Sequence, residues 1–584
     1  MTTMINPASR KTLRRIMTHL RPHRLRISVS LGCALLCVIL TLRMPVLIGQ
    51  AVDVVLGPNA VDFSVLTTIL THIALATIGT ALCQWAMNRQ NNTIVYETVR
   101  DIRKLAFEKL QIVPLSYLDA HPMGETLNRL TTDVDQFSEG LLMGFTQLFT
   151  GVITIIFTLV IMFNANGQIA LAVIFITPIS LLVAAVIAKR SYDLFSLQSV
   201  IRAEQNALVD EAISGQKTVR AFGCEHTINK KFDDVSARLE ACSLKAIFVS
   251  AITQPATRFV NALVYTTVAI VGAWIAISGG ISVGALTALL SYATQYTKPF
   301  NEISGVVTEM QNAIACLSRV LELIDETPQT PEPADAFELT DPKGCVTLND
   351  VSFSYNPKKP LIEHFDLSVD PGQRIAIVGP TGCGKTTLIN LLMRFYDVNG
   401  GTISVDNHDI RDVTRKSLRK SYGMVLQETW LKHGTIYENI TLGNPDVTQD
   451  MVVEAAKLAH AHAFIRRLPN GYDTQINEAG GGLSQGQKQL LCIARVMLIK
   501  PNMLILDEAT SSIDTRTEHK IQDAFSLLMR GRTSFIVAHR LSTIKSADRI
   551  LVMRDGHIIE LGDHNSLLKQ DGFYATLYKS QFAH

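Results

Sequence analysis

Gly379-Pro380-Thr381-Gly382-Cys383-Gly384-Lys385-Thr386 sets the architecture of the C-terminal half of this chain. An apolar strand, Arg374 to Val378, runs into it, and a helix is expected to leave it from Thr387 to Arg394. Strand, glycine-rich loop and helix in that order make a phosphate cradle. The glycines let successive backbone N–H groups turn inward around phosphate oxygens, and the helix N-terminus favours negative charge there. Lys385 is expected to reach the β- and γ-phosphates of a nucleotide, and the Thr386 hydroxyl to ligate magnesium, with Thr387 following at the helix start. Cys383 sits at a variable position of such a loop and is expected to contribute backbone only.

Working outward, Met503-Leu504-Ile505-Leu506-Asp507-Glu508 is a buried apolar strand that delivers two carboxylates at its end. Successive strand residues point to opposite faces, so Asp507 suits the magnesium shell and Glu508 suits a base that polarises an attacking water. From Cys345 onward, short β-branched strands alternate with helical segments, the pattern of an α/β domain. Ahead of it, residues 325–344 carry Pro328, Pro331, Pro333 and Pro342 among acidic and small residues, which reads as an exposed linker.

The N-terminal part, residues 1–324, is apolar in blocks. Candidate spans are Ile27 to Ile48, Val65 to Ala86, Leu141 to Phe163, Ile169 to Ala188, Phe259 to Ile277, and a weaker one from Ile281 to about Tyr296. A helix needs roughly 20 apolar residues to cross a ~30 Å hydrocarbon core, and the last two stretches are interrupted by polar residues. The connections after the first, third and fifth spans are short and lack Lys and Arg, whereas Asn88 to Gly140 and Lys189 to Arg258 are long and charged. Positive charge marks the cytoplasmic side, so both termini are expected there. The long connections alternate apolar and charged residues at helical spacing, broken at Pro114 and at His121-Pro122-Met123-Gly124.

Composition agrees. The 584-residue chain is only 18% charged, and its mean hydropathy is +0.21, which suits a membrane protein with a large soluble part. A net charge of +2 gives no electrostatic footprint for nucleic acid. Nine scattered cysteines, with no paired spacing, read as reduced thiols. The basic stretch before Ile27 lacks a small-residue cleavage site and is not read as a signal peptide.

Leu483-Ser484-Gln485-Gly486-Gln487 completes the pattern. With the phosphate loop and the Asp507-Glu508 strand, it makes the chain resemble the ATP-binding cassette (ABC) transporter family over nearly its full length. That resemblance implies the exporter-type fold: an all-α domain of six transmembrane helices (1–324), the linker (325–344) and an α/β P-loop ATP-binding domain (345–584). It also implies further roles. Tyr355 resembles the aromatic that stacks on adenine. Gln427 resembles the glutamine that joins the magnesium site to the membrane domain. Ser511-Ser512-Ile513-Asp514 resembles the loop that crosses the dimer interface, and His539 the switch histidine on the γ-phosphate. Bends around Ser116 to Glu125 and Glu211 to Gly215 resemble coupling helices, with Val425 to Leu431 as their docking surface and Glu478 as a sensing residue.

In this family one domain's signature completes the ATP site on the other's phosphate loop, so a second half-transporter is implied. Gln485 departs from the paired glycines of the signature. Together with the helix from Lys488 and the C-terminal Phe573 to Phe582, it resembles the intact subunit of bacterial heterodimeric multidrug exporters. A heterodimer is favoured over a homodimer. Ala479 and Lys432 depart from the usual family residues. The cargo is expected among drugs, lipids or peptides, carried through a bacterial inner or cell membrane. An ATP-gated regulator or channel, or an importer on the same fold, is the alternative. Arg43 inside the first span is read as a cavity charge, since a central Arg costs roughly 2.5–3.5 kcal/mol unless it finds water or a partner. Lys298 and Glu302, four apart, suit an intrahelical ion pair.

Overall fold

The computed structural model describes residues 7–56, 61–426, 429–476, 482–507, 513–538 and 541–582. The chain forms two compact units, Met1–Gln111 with Met123–Glu326, and Ile112–Pro122 with Thr327–His584.

The first unit is helical. Its long members are Arg24–Val55, Phe63–Leu110, Phe149–Ala165, Gly167–Ser214, Thr253–Ile277 and Val283–Asp325. The first, second, fourth and fifth expected spans fall within this set; the third starts in Thr132–Met143 and runs through one π-helical turn, Gly144–Leu148, into Phe149–Ala165, and the sixth begins two residues ahead of Val283. Among the described residues, four helices meet the length and apolarity needed to cross a membrane, within Arg14–Val55, Phe63–Leu110, Met123–Ala165 and Glu225–Ile277. Gly167–Pro178 is apolar but shorter, and Val283–Asp325 carries polar residues through its middle.

The short connections have a physical cause. Asp62 accepts from the Ser64 and Val65 N–H groups, Asn166 from Gln168 and Ile169, and Ser282 from Ala285. Each cap satisfies donors that a helix start would otherwise leave bare. Two of these helices cross closely at Gly49 and Gly284, where a Cβ on Gly284 would lie 1.9 Å from the Gly49 carbonyl oxygen. The Asp53 carboxylate fastens that crossing by accepting from the Ser282 hydroxyl at 2.6 Å and the Gly284 N–H at 2.7 Å. Leu42, Met162, Ile169, Val268, Leu289 and Tyr292 form the buried core, while Leu75, Trp85, Phe175 and Trp274 stay exposed, as a lipid-facing belt requires.

The second unit is α/β. Its main sheet has six strands, in the order His557–Gly562, Arg549–Arg554, Arg374–Val378, Thr533–Val537, Met503–Asp507 and Tyr422–Val425. All neighbours are parallel except the antiparallel edge hairpin of Arg549–Arg554 with His557–Gly562. Parallel strands are covered on both faces, which explains the continuous apolar run Met503 to Leu506. A four-stranded antiparallel sheet, built on Val346–Phe353 with Ile362–Val369 and Gly400–Val405 beside it, packs through Val346, Phe365 and Ile403.

Three boundaries differ from expectation. The helix after the phosphate loop is Lys385–Leu392 rather than Thr387 to Arg394, and Arg394 adopts φ 49°. The signature helix is Gln485–Ile499 and starts three residues ahead of Lys488, because Ser484 and Gln487 cap it reciprocally. The proline-rich segment is strapped to the α/β unit. Phe337 exchanges backbone hydrogen bonds with Asp412 and Thr414 and stacks on His408 at 4.3 Å. Asp406 accepts from the N–H groups of Lys343, Gly344 and Cys345.

Candidate functional site

Parallel register brings the nucleotide motifs to one sheet edge. Ile377 pairs with Val537, and Val537 with Asp507. The phosphate loop, Asp507 and the end of the strand before Ala538 therefore emerge side by side, where α/β sheets bind ligands. Glu508 and His539 follow these strand ends in sequence. They lie outside the described residues, as do Gln427, Glu478, Ala479, Ser511 and Ser512.

Gly379, Gly382 and Gly384 take φ of 156°, 84° and 103°, conformations that glycine adopts without a Cβ penalty. Gly379 also has no room, since a Cβ there would sit 2.2 Å from the Met553 carbonyl oxygen. Lys385 closes the loop by donating from Nζ to the carbonyls of Gly379 (2.8 Å) and Pro380 (2.9 Å). Phosphate oxygens would replace these neutral acceptors with charge-assisted ones. Pro380, Thr381, Gly382 and Thr386 are exposed, whereas Cys383 and Thr387 are buried. Cys383 thus packs beneath the loop. A small cavity beside Gly379, Pro380, Thr381 and Lys385 is closed by Tyr574 and Tyr578 of the C-terminal helix.

Tyr355 is 50% exposed, with a ring held by edge contacts to Phe353 (4.9 Å) and Tyr396 (5.0 Å). Asn390, on the helix after the phosphate loop, donates to its hydroxyl at 3.2 Å. A fixed, half-open aromatic face is what adenine stacking needs. Tyr396 and Asn390 escaped the sequence reading because nothing local marks two residues 35 to 41 positions downstream as neighbours of Tyr355. Tyr396 in turn donates to Asp119 in the short helix Leu115–Ala120, a member of this second unit. Burial first, then the Asp119 carboxylate, pushes the Tyr396 phenol pKa up.

The signature is held as a rigid helix start. Gln487 N–H donates to Ser484 Oγ, and the Ser484 N–H to Gln487 Oε1 at 2.9 Å. Leu483 packs against the core. A Cβ on Gly486 would meet Thr517 Cγ2 at 2.5 Å and Ile513 Cγ2 at 3.0 Å, so glycine lets the helices Gln485–Ile499 and Thr515–Met529 touch. Gln485 is exposed and its amide donates to Thr429 Oγ1 at 3.4 Å. Asp514 caps the following helix, and hydrogen bonding from Thr517 holds its carboxyl below the usual range. Behind the signature, Arg495 donates to Asn439 and to the Trp430 carbonyl, a buried clamp that sequence reading missed.

The oxygen donors around the loop fit a magnesium ion: the Thr386 hydroxyl is exposed at the helix start and Asp507 ends its strand. Hydroxyl, carboxylate and phosphate oxygens are the ligands this hard cation takes.

The helical unit holds a separate cavity of about 720 Å³. Polar side chains dominate it, among them Thr41, Gln84, Asn88, Asn92, Gln147 and Thr150, and Lys298 and Glu302 reach it as well. The expected intrahelical pair is present, Nζ to Oε1 at 3.8 Å. Arg43 is exposed on Arg24–Val55 and is not among the residues lining this cavity.

Two family profiles match, ABC transporter transmembrane region over residues 27–300 and ABC transporter over residues 362–511. The chain is 42% identical to a fatty acid ABC transporter ATP-binding/permease protein of Mycobacterium tuberculosis, over 89% of this chain and 82% of that one. It is 38% identical to an uncharacterized ABC transporter ATP-binding protein of Bacillus subtilis, over 98% and 94%. Among solved structures, a bacterial Atm1-family ABC exporter with ATP bound superposes with a TM-score of 0.78 at 28% identity, covering 96% of this chain and 99% of the other. The chain belongs to the ABC transporter family: it is an exporter half of bacterial type, an integral membrane protein that binds ATP and couples its hydrolysis to transport, in a fold that works as a dimer.

Proposed function

We propose that this chain is the catalytically complete half of a heterodimeric exporter, with residues 1–324 in the membrane and residues 345–584 forming the ATPase on the cytoplasmic side. Lys385 neutralises the β- and γ-phosphates, and the N–H groups from Gly382 to Thr387 hold their oxygens. Tyr355 stacks on the adenine. Glu508 accepts the proton of the attacking water, and His539 donates to the γ-phosphate as charge builds there. Magnesium, bound by Thr386, Asp507 and Gln427, would offset charge on the β- and γ-oxygens.

The observation that carries this reading is the convergence of the glycine-rich loop, Asp507 and the strand before Ala538 at one edge of the parallel sheet. The side chain at Gln485, where a glycine is usual, favours a partner of different sequence. This chain's signature, Leu483 to Gln487, with the interface loop Ser511 to Asp514, would serve the partner's nucleotide. ATP contacted from both sides favours the closed dimer, and hydrolysis removes that preference.

The test is ATP hydrolysis and particle mass for the chain expressed alone in lipid nanodiscs. An inactive or monomeric product, rescued by a second half-transporter, is expected. Robust turnover from a particle of twice the chain mass would overturn the heterodimer and leave a homodimer.

A further inference from the structure

Phe353, Tyr355 and Tyr396 form a closed triangle of rings. Tyr355 crosses Phe353 at 4.9 Å and 86° and Tyr396 at 5.0 Å and 90°, and Phe353 crosses Tyr396 at 5.6 Å and 67°. Such crossings are favourable because a positive ring edge meets a negative ring face, so tilting one ring disturbs the other two. Phe353 is buried at the end of its strand, which leaves Tyr355 and Tyr396 as the members able to move.

The triangle has two polar exits. Asn390, on the helix Lys385–Leu392, donates to the Tyr355 hydroxyl at 3.2 Å. Tyr396 donates its phenol hydrogen to the Asp119 carboxylate, and a hydrogen bond to an ionised acceptor is stronger than one between neutral groups. Among the described residues, this is the one polar partner of the Asp119 side chain. Asp119 belongs to the six-residue helix Leu115–Ala120, seated in the ATPase unit by Val113 and Tyr117, both buried. In sequence that short helix lies between Phe63–Leu110 and Thr132–Met143. A shift in it therefore reaches the second and third expected spans through the chain itself.

We propose that Tyr396 is a positioning residue that reports the base of the bound nucleotide, rather than its phosphates, to Leu115–Ala120. Adenine stacked on Tyr355 fixes that ring. The perpendicular Tyr396 ring then loses its freedom to tilt, and its hydroxyl holds Asp119 in one place. Without a base the rings can rock, and the short helix with them. A ligand shifts such an equilibrium only by its differential affinity for the two arrangements, and stacking supplies that difference here. Phosphates have a thinner route, the single exposed hydrogen bond from Asn390 to Tyr355. Adenine stacking on Tyr355 is the reading on which this link rests.

Hydrogen exchange of the backbone amides of residues 115–120 tests it in the assembled transporter, with Glu508→Gln in this chain to slow hydrolysis. Saturating ATP is compared with magnesium tripolyphosphate, which has the phosphates and no base. ATP is expected to slow exchange by about fivefold or more, the lower end of typical couplings between sites, and tripolyphosphate by less than about twofold. Tyr396→Phe keeps the rings and should lose the ATP effect, as should Asp119→Ala. Asp119→Asn keeps an acceptor and should retain part of it. Tyr355→Phe should keep it, because stacking survives without the Asn390 hydrogen bond. Amides of Lys385–Leu392 report nucleotide binding in every sample. Equal protection of 115–120 by tripolyphosphate and ATP overturns the assignment, and so does protection undiminished in Tyr396→Phe and Asp119→Ala. ATP that protects Lys385–Leu392 and leaves 115–120 unprotected overturns it too. Failure of ATP to protect Lys385–Leu392 before any change at Tyr355, Tyr396 or Asp119 would instead sink the nucleotide site itself, and the link with it.

Discussion

Asn439→Ala removes four hydrogen bonds from the ATPase unit at one buried point. The Asn439 side chain is 0% exposed. Its Oδ1 accepts from the Lys432 N–H at 2.9 Å and from Arg495 Nη2 at 2.8 Å, and its Nδ2 donates to the carbonyls of Lys432 (2.9 Å) and Thr435 (3.0 Å). Truncation leaves the Lys432 N–H and one guanidinium arm without acceptors. Each stranded buried donor costs about 1–3 kcal/mol. Arg495 keeps the carbonyls of Asn439 (2.5 Å) and Trp430 (2.7 Å), so its charge is not isolated and the larger penalty of an unpaired ion does not apply. The expected loss is therefore about 3–5 kcal/mol. For a domain of this size each kcal/mol moves Tm by about 2–4 °C, which gives a drop of roughly 6–20 °C.

Trp430 makes the measurement local. It stacks over Arg495 with its ring centroid 6.0 Å from the guanidinium carbon. The other two tryptophans of the chain, Trp85 and Trp274, belong to the helical unit. In a background with both changed to Phe, thermal melting followed by tryptophan fluorescence reads the ATPase unit alone. Asn439→Asp keeps the Oδ1 acceptor and should lose about half as much. A drop below 2 °C for Asn439→Ala would show that the clamp is not what holds the segment after Gln427 to the signature helix.

Three other perturbations follow from the same geometry. Tyr355→Ala should raise the ATP KM about 5- to 12-fold, the worth of about 1–1.5 kcal/mol of ring stacking, while Tyr355→Phe stays within about twofold, as read by ATPase titration. Gly486→Ala puts a methyl 2.5 Å from Thr517 Cγ2, and melting should report a loss of about 1–3 kcal/mol from overpacking. Asp548 receives Arg374 in a paired arrangement, and those hydrogen bonds hold its carboxyl below the usual range. A depressed carboxyl contributes stability above its unfolded value near 3.9 and loses it as pH falls through the lower folded value. Both partners are more than a third exposed (38% and 42%), so Asp548→Asn should cost no more than about 1 kcal/mol at pH 7. That gap should close by about pH 2, and melting at a series of pH values checks it.

The nucleotide edge was legible because glycine spacing, a terminal lysine and an apolar strand ending in Asp507 each carry local meaning. The membrane spans were legible as blocks of apolar length, although the last two are interrupted by polar residues. Helix starts were less so. The helix from Gln485 begins at a reciprocal Ser484–Gln487 cap that the glycine-rich signature obscured, and Lys385 already lies in the helix its loop introduces. Contacts across long separations were invisible. Tyr396 meets Tyr355 and Asp119 only through folding, and proline content at residues 325–344 concealed backbone donors that Asp406 and Ser417 satisfy. Nor did spacing reveal that Lys298 and Glu302, an ordinary helical pair, face a polar cavity.

The most direct test of the ATPase assignment is turnover of the nanodisc-embedded transporter with Glu508→Gln in this chain, measured beside equilibrium ATP binding. If Glu508 is the base, hydrolysis falls by a factor of about 10²–10⁴ while ATP still binds. Turnover that survives the substitution would contradict the assignment of the base, and with it the claim that this chain carries the working site.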